Sequence, residues 1–434
     1  MSPLEQETQK VLGLIDEKEL VDLSVAMGNI QSPTGYERHM VDFVMTWLRN
    51  NGFKAIEQKI CEGRGNAIGI LTGTGAGYSL LFNSHTDSEQ GSAEEIVKSG
   101  EVVAAPPVAR EVGTRIFGKQ VQNDRGPMAC FMLAAKAIRE SGIKLSGNLI
   151  LTMVAGEIGS GPVDEFQGPR YVGKGLGSRH AVTHGILADY ALVAETTDFG
   201  VTWVETGVGY YKATLEGVAL YTPRSHRPDL VEKHPNAIVK MAKLIQAIEE
   251  WGRDYERRYT YESPTGRVVP KVNIGAIRGG KPFNPSRTCN ECSIYVDVRI
   301  PAPVDPVTVQ TELSAVVKQQ GLGGEIEPYM VRKGYEGKNV ERLVESIKGA
   351  HRQIRGTDPP PVSTAEISMW RDVNIFNEVG IPSVTFGPRR FHLSEADAKP
   401  MGLDRGYMEK EDLVNTAKMY ALVALDICRS EKPA

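Results

Sequence analysis

The sequence predicts an α/β fold in which a helix–strand alternating domain is interrupted by an inserted βαββαβ unit. Three observations lead there. Short apolar runs at 79–83, 149–155 and 190–194 are each flanked by turn residues, as buried strands are. Amphipathic patterns lie before and between them, which argues for a sheet with helices on both faces. Between about 208 and 330 the order of elements changes, and helix–strand alternation then resumes with a further apolar run at 384–386.

The elements follow in chain order. Thr34 and Glu37 match a capping box, and Met40, Phe43, Val44, Trp47 and Leu48 follow at helical spacing until Gly52. Gly73, Gly75 and Gly77 resemble a dinucleotide fingerprint, but they precede a strand instead of following one, so they read as a hairpin turn. A helix is expected from about 127 to 141, with Pro127 in its first turn. The stretch 160–183 reads as a long Gly-rich loop carrying Arg170, Arg179 and His180, able to cover a site or bind an anion. The inserted unit reads as a strand at 210–217, a helix at 235–251, strands at 271–278 and 289–299, a helix at 305–320 and a strand at 324–331. That order is the ferredoxin-like split unit. The expected division is therefore a split domain, 1–207 with 331–434, around an insert at 208–330.

Composition narrows the partners. The chain has 50 Lys plus Arg against 54 Asp plus Glu, a net charge of −4, so no basic excess points to nucleic acid. No run approaches the 18 or so apolar residues of a membrane span. The N-terminus is charged from its start, and the five cysteines are scattered, which together lead us to expect a reducing cytoplasm. Cys289 and Cys292 form one CxxC without a second ligand pair. They lie in a strand-like stretch that should turn their thiols to opposite sides.

The chemistry lies just beyond the apolar runs. The first ends in Asn83-Ser84-His85-Thr86-Asp87, the second in Gly156-Glu157, the third in Glu195-Thr196-Thr197-Asp198, and Asn123-Asp124 precedes the helix at 127. Ligands of open α/β sheets bind outside the carboxyl ends of the strands. Carboxylates gathered there repel unless cations neutralise them. A His among carboxylates suits Zn²⁺, Mn²⁺ or Co²⁺ better than Ca²⁺ or Mg²⁺.

These residues resemble a family. Residues 30–37 (IQSPTGYE), His85-Thr86-Asp87, Asn123-Asp124, Gly156-Glu157-Ile158-Gly159-Ser160, Glu195, Gly380-Ile381-Pro382, Phe386-Gly387-Pro388 and His392 with Glu395 are similar to motifs of the M20 metallopeptidase and aminoacylase family. The resemblance implies a mixed-sheet metallohydrolase domain with an inserted lid and dimerisation domain. It implies one or two divalent metal ions (Zn, Mn or Co), with Asp124 bridging, His85 and Glu195 completing one site, and Glu157 and His392 the other. Asp87 would buttress that site. In the insert, Glu205, Gly209, His226 with Asn236-Ala237-Ile238, Gly279-Gly280, Asn284-Pro285 and Asp297-Val298-Arg299 resemble the lid pattern. His226 would then reach a partner subunit's site and stabilise an oxyanion, while Asn284 and Arg299 would hold a substrate carboxylate.

One departure stands out. The family places two adjacent glutamates where this chain has Gly156-Glu157, so the first, the usual general base, is missing. Loss of a general base typically costs about 10²–10⁴ in rate. Glu157 becomes the expected proton shuttle. The expected activity is hydrolysis of a C–N bond in a small carboxylate-bearing molecule, by default the amide of an N-acyl amino acid or dipeptide-like compound. The alternative is hydrolytic deamination of an aminobenzoate, as in the 5-nitroanthranilate aminohydrolase branch of the family. A non-catalytic binding protein is the remaining alternative. A homodimer or higher homo-oligomer is the expected assembly.

Overall fold

The computed structural model describes residues 3–89 and 108–432. Its central sheet has six strands: β1 (Lys54–Cys61), β2 (Arg64–Leu71), β3 (Leu80–His85), β4 (Leu149–Val154), β5 (Tyr190–Ala194) and β10 (Ser383–Phe386). They lie in the order β1-β2-β4-β3-β5-β10. β3 runs parallel to both β4 and β5, and β5 parallel to β10, while β1 and β2 are antiparallel additions at one edge. The sheet is thus mixed.

β3, β4 and β5 are apolar throughout because both faces are covered, as in parallel sheets generally. Leu80 and Phe82 point to one layer, where Phe82 packs 5.7 Å from Phe131 and 5.3 Å from Tyr420. Those rings come from the helices Gly126–Ser141 and Lys410–Arg429. Leu81 points the other way, into a smaller cluster with Ala181, Val182 and Phe376.

A second, four-stranded antiparallel sheet is built from β6 (Gly207–Glu216), β7 (Val272–Gly279), β8 (Glu291–Ile300) and β9 (Glu325–Arg332), in the order β7-β8-β6-β9. The helices Ala237–Tyr259 and Pro306–Gln319 cover one face. Met241, Leu244, Ile248 and Leu313 pack there against Ala213, Leu215, Ile294 and Val296 as a core of their own. The ferredoxin-like order expected from sequence is therefore present. Its opposite face carries Tyr210, Tyr295 and Tyr329, beside which Asp164 bonds Lys212 and Tyr295, and Glu165 bonds Arg278. The stretch after Ser160 is thereby pinned under the lid sheet.

Several local expectations are corrected. Thr34 and Glu37 do not form a capping box. Helix Arg38–Asn50 starts without a side-chain cap, Thr34 donates to Asp87, and Glu37 forms a buried ion pair with Arg64. The 73–77 glycines do not close a hairpin, because β2 and β3 both flank β4; they lie instead against residues 145–147. Helix Ala237–Tyr259 runs past Trp251 because Gly252 is internal, where a Cβ would meet Val272 at 3.3 Å. The 160–183 stretch is not a loop throughout, since Leu176–Thr183 is helical. Cys289 lies just before β8, out of strand alternation. Its sulfur and that of Cys292 accordingly approach the same point beside Gly279 in the lid core.

Candidate metal centre and its cleft

Three of the expected ligands converge. His85 is the last residue of β3, Glu195 directly follows β5, and Asp124 lies in the turn just before helix Gly126–Ser141. Parallel neighbours β3 and β5 end at the same edge, so their carboxyl ends bring His85 Nε2 to 3.8 Å from Glu195 Oε1. One ligand atom from each of His85, Asp124 and Glu195 lies within 4.8 Å of the others, and all three residues are buried. Among the described residues no other group of three His, Cys, Asp or Glu is gathered this way.

The donor set fits a cation. Asp124 is fully buried; Ser84 Oγ donates to its Oδ2 at 2.6 Å, and its Oδ1 has no partner among the described residues. Burial, then the charge of Glu195, pushes the Asp124 carboxyl well above the carboxylate range. A positive ion supplies what the unpartnered oxygen lacks. Burial opposes a charged His85, yet Asp87, Glu195 and Glu157 together raise its pKa well above the ordinary value.

Asp87 holds the centre in shape. It is fully buried and accepts from Thr34 Oγ1 at 2.8 Å and from the backbone N–H groups of Glu157 at 3.1 Å and Ile158 at 2.9 Å, and its Oδ1 lies 3.3 Å from His85 Nδ1. Burial works against its charge, but the His85 and Thr34 hydrogen bonds and Arg64 bring its pKa down to about 2. One carboxylate thereby fixes both the His85 ring and the turn carrying Glu157. Arg125, also fully buried, donates to the carbonyls of His85 and Thr86 and to Ser32, and so pins the same strand end.

The full five-ligand set expected from the resemblance is not assembled. Glu157 is buried beside the triad but outside its 4.8 Å group. His392 is exposed on the short strand Phe391–His392, which pairs into a separate four-stranded sheet. It borders a small depression with Asn123 and Arg405 instead of joining Asp124. His226 and Asn284 are exposed on connections around the lid sheet and line no part of the cleft. Arg299 does line it, held at 2.9 Å by Asp297.

The cleft has a volume of about 830 Å³ and is bordered by Glu157, Glu195, Lys174, Arg299, Trp370 and Arg371, among others. Burial raises the Glu157 carboxyl to about 7, against the pull of Lys174 and His85. That is the range suited to taking and giving protons near neutrality.

Position 156 has no space for the missing glutamate. Gly156 has φ +71°, and a Cβ there would sit 2.5 Å from Arg64 Nη2. Arg64 is itself clamped by Glu37 and by the carbonyls of Pro169, at 2.7 Å, and Val172, at 2.8 Å.

Sequence reasoning passed over Arg371 and Lys174. Arg371 pairs with Glu205 at 3.0 Å and with Glu366, and its Nε lies 3.8 Å from Glu195 Oε2. No motif marks it. Lys174 lies between two glycines in the long segment already singled out, and that flanking was the available signal.

Comparison with known proteins agrees with this architecture. Residues 226–325 match the family profile of a peptidase dimerisation domain. The chain is 24% identical over 414 residues to N-formyl-4-amino-5-aminomethyl-2-methylpyrimidine deformylase of Bacillus subtilis (strain 168), covering 86% of this chain and 88% of that one. Its fold is similar to that of an M20 family metallo-carboxypeptidase from Sulfolobus solfataricus, with a TM-score of 0.67 at 14% identity, over 94% and 99% of the two chains. A dinuclear metal-binding M20 peptidase of Bacillus subtilis is also similar, with a TM-score of 0.61 at 11% identity, over 95% and 98%. Over most of its length the chain is thus similar to hydrolases of the M20 metallopeptidase family, whose fold it shares and whose dimerisation domain residues 226–325 match.

Proposed function

We propose that the protein hydrolyses the amide bond of a small carboxylate-bearing molecule, an N-acyl amino acid or dipeptide-like compound, at a centre held by His85, Asp124 and Glu195. The observation that carries this is the buried triad at the strand ends, with Asp124 Oδ1 unpartnered among the described residues and Glu195 bordering an open cleft. A divalent ion held there supplies Lewis acidity toward the carbonyl and toward water. Glu157, titrating near 7, takes the proton from the attacking water and returns it to the leaving amine. Asp87 keeps His85 and the Glu157 turn in register, and Arg371 sets Glu195. In the dimer, His226 of one protomer stabilises the oxyanion in the other. The division into a split domain (1–207 and 331–434) and an insert (208–330) belongs to this reading, as does an ion of Zn²⁺, Mn²⁺ or Co²⁺.

A second reading, hydrolytic deamination of an aromatic amine, is favoured by two observations. The first glutamate is absent and sterically barred at Gly156, while Trp370 offers an aromatic wall to the cleft. A panel of N-acyl amino acids, dipeptides, N-formyl amines and aminobenzoates, each with Mn²⁺, Zn²⁺ or Co²⁺, decides between them. Amine release from an amide supports the first reading and ammonia release from an aminobenzoate the second. No turnover with any metal overturns both. Glu157→Gln should lower kcat by about 10²–10⁴ while the protein keeps its metal; full activity in that variant removes Glu157 as the shuttle.

A further inference from the structure

Among the described residues five cations line the cleft, and four of them are already occupied. Arg299 is paired with Asp297 at 2.9 Å, Lys271 with Glu256 at 2.6 Å, Arg371 with Glu205 at 3.0 Å, and Arg390 with Glu366. Lys174 is the exception. It is 8% exposed, yet its ammonium makes no hydrogen bond and has no carboxylate oxygen within 4.0 Å among the described residues. An ammonium with so little exposure and no hydrogen-bonding partner is costly: burial lowers the Lys174 pKa, against the pull of Glu157, and an anionic ligand in the cleft would offset that cost.

The surrounding backbone is built to hold this side chain in place. Lys174 has φ +50°, a left-handed conformation that a non-glycine residue adopts at a cost. Its N–H donates to Glu157 O at 3.2 Å, Gly173 N to Ser160 O at 2.9 Å, and Gly175 N to Gly156 O at 3.0 Å. The returning segment is thus laced onto the turn carrying Glu157. Gly159 leaves room for the lysine: a Cβ there would lie 2.4 Å from Lys174 Cε and 3.0 Å from Nζ. Glu157 feels the charges of both His85 and Lys174, and all of Glu157, Glu195 and Lys174 border the same cleft.

We propose that Lys174 is the carboxylate receptor of the cleft, a specificity-determining residue that selects acidic substrates over neutral ones. The inference rests on the cleft being the substrate site, and it moves the anchoring charge from Arg299, already neutralised by Asp297, to the inserted segment.

The test uses the full-length, Mn²⁺-loaded protein and titration calorimetry with benzoate as the carboxylate probe and benzamide as its neutral counterpart. Wild type should bind benzoate at least about 10-fold tighter than benzamide, and Lys174→Met should weaken benzoate by about 10- to 100-fold, the range of a hydrogen bond to a charged group. Benzamide binding should not change. Lys174→Gln repeats the measurement in a polar side chain should the Met variant not fold. Lys271→Met, at the exposed rim, should bind benzoate as wild type does. Equal binding of the two probes by wild type, unchanged benzoate binding in both Lys174 variants, or an equal loss in Lys271→Met overturns the proposal. An enzyme that hydrolyses neutral N-formyl amines as readily as carboxylated amides also overturns it, while leaving the hydrolase reading standing.

Discussion

Replacing Gly156 tests whether the departure from the family pattern is repairable. An L-residue in the left-handed region costs about 1–2 kcal/mol. The added Cβ meets Arg64 Nη2 at 2.5 Å, with Val172 O at 3.1 Å and Leu176 Cβ at 3.2 Å on its other sides. Arg64 has little freedom to yield, because its pair with Glu37 is wholly buried and its other nitrogen serves two carbonyls. Breaking a buried pair costs about 3–5 kcal/mol. The sum is at least about 4 kcal/mol for Gly156→Ala. Unfolding entropy of about 2.1 cal/mol/K per residue over 434 residues gives about 0.9 kcal/mol/K, so the melting temperature should fall by about 4 °C or more. Gly156→Glu should fall as far and gain no activity, because displacing Arg64 also loosens the 169–172 segment beside the cleft. Differential scanning calorimetry with a kinetic assay measures both. A Gly156→Glu protein with unchanged melting temperature and higher kcat would refute this account of the position.

Three further outcomes follow from the same geometry. Asp87→Ala should weaken metal binding by about 10–100-fold, the usual effect of losing a group that orients a ligand; competition against a fluorescent chelator reads it, and undiminished affinity removes Asp87 from that role. His392→Ala should leave the metal content of purified protein at one ion per chain or its wild-type value, by elemental analysis, because His392 is exposed and outside the triad. Metal-free protein should lose stability as pH rises. Burial puts Glu157 at about 7 and Glu205 at about 8, both above the ordinary glutamate value of 4.5. The folded chain therefore holds protons that the unfolded chain releases, so their contribution is fully present below about 4.5 and is lost as pH rises through 7 and 8. Melting curves with EDTA should fall across that window, and added Mn²⁺ should flatten the part due to Glu157; a flat EDTA curve contradicts the burial argument.

Much of the architecture is legible in the amino-acid order. The runs that became β3, β4, β5 and β10 are apolar because both sheet faces are covered, and the change of pattern near 208 marks the ferredoxin-like sheet. His85 and Glu195 could be placed at strand ends because an apolar run that stops at a polar residue marks where the chain leaves the sheet. Contacts between distant segments could not be read that way. Thr34 bonds Asp87 across 53 residues, and Glu37 bonds Arg64, in preference to the local cap that their spacing suggests. The strand order, with β4 between β2 and β3, decides that the glycines at 73–77 are not a hairpin. By itself the sequence determined the four buried central strands and the acid-rich chemistry at the ends of three of them, because hydrophobic periodicity and residue identity are local, while the edge strands β1 and β2 lack that apolar signal. Only the tertiary structure decided that three of the five expected ligands meet, that Arg64 fills the space beside Gly156, and that Lys174 is, among the described residues, the cleft cation left without a partner. Those are distances across the fold, and burial, not sequence spacing, sets which charges must find one another.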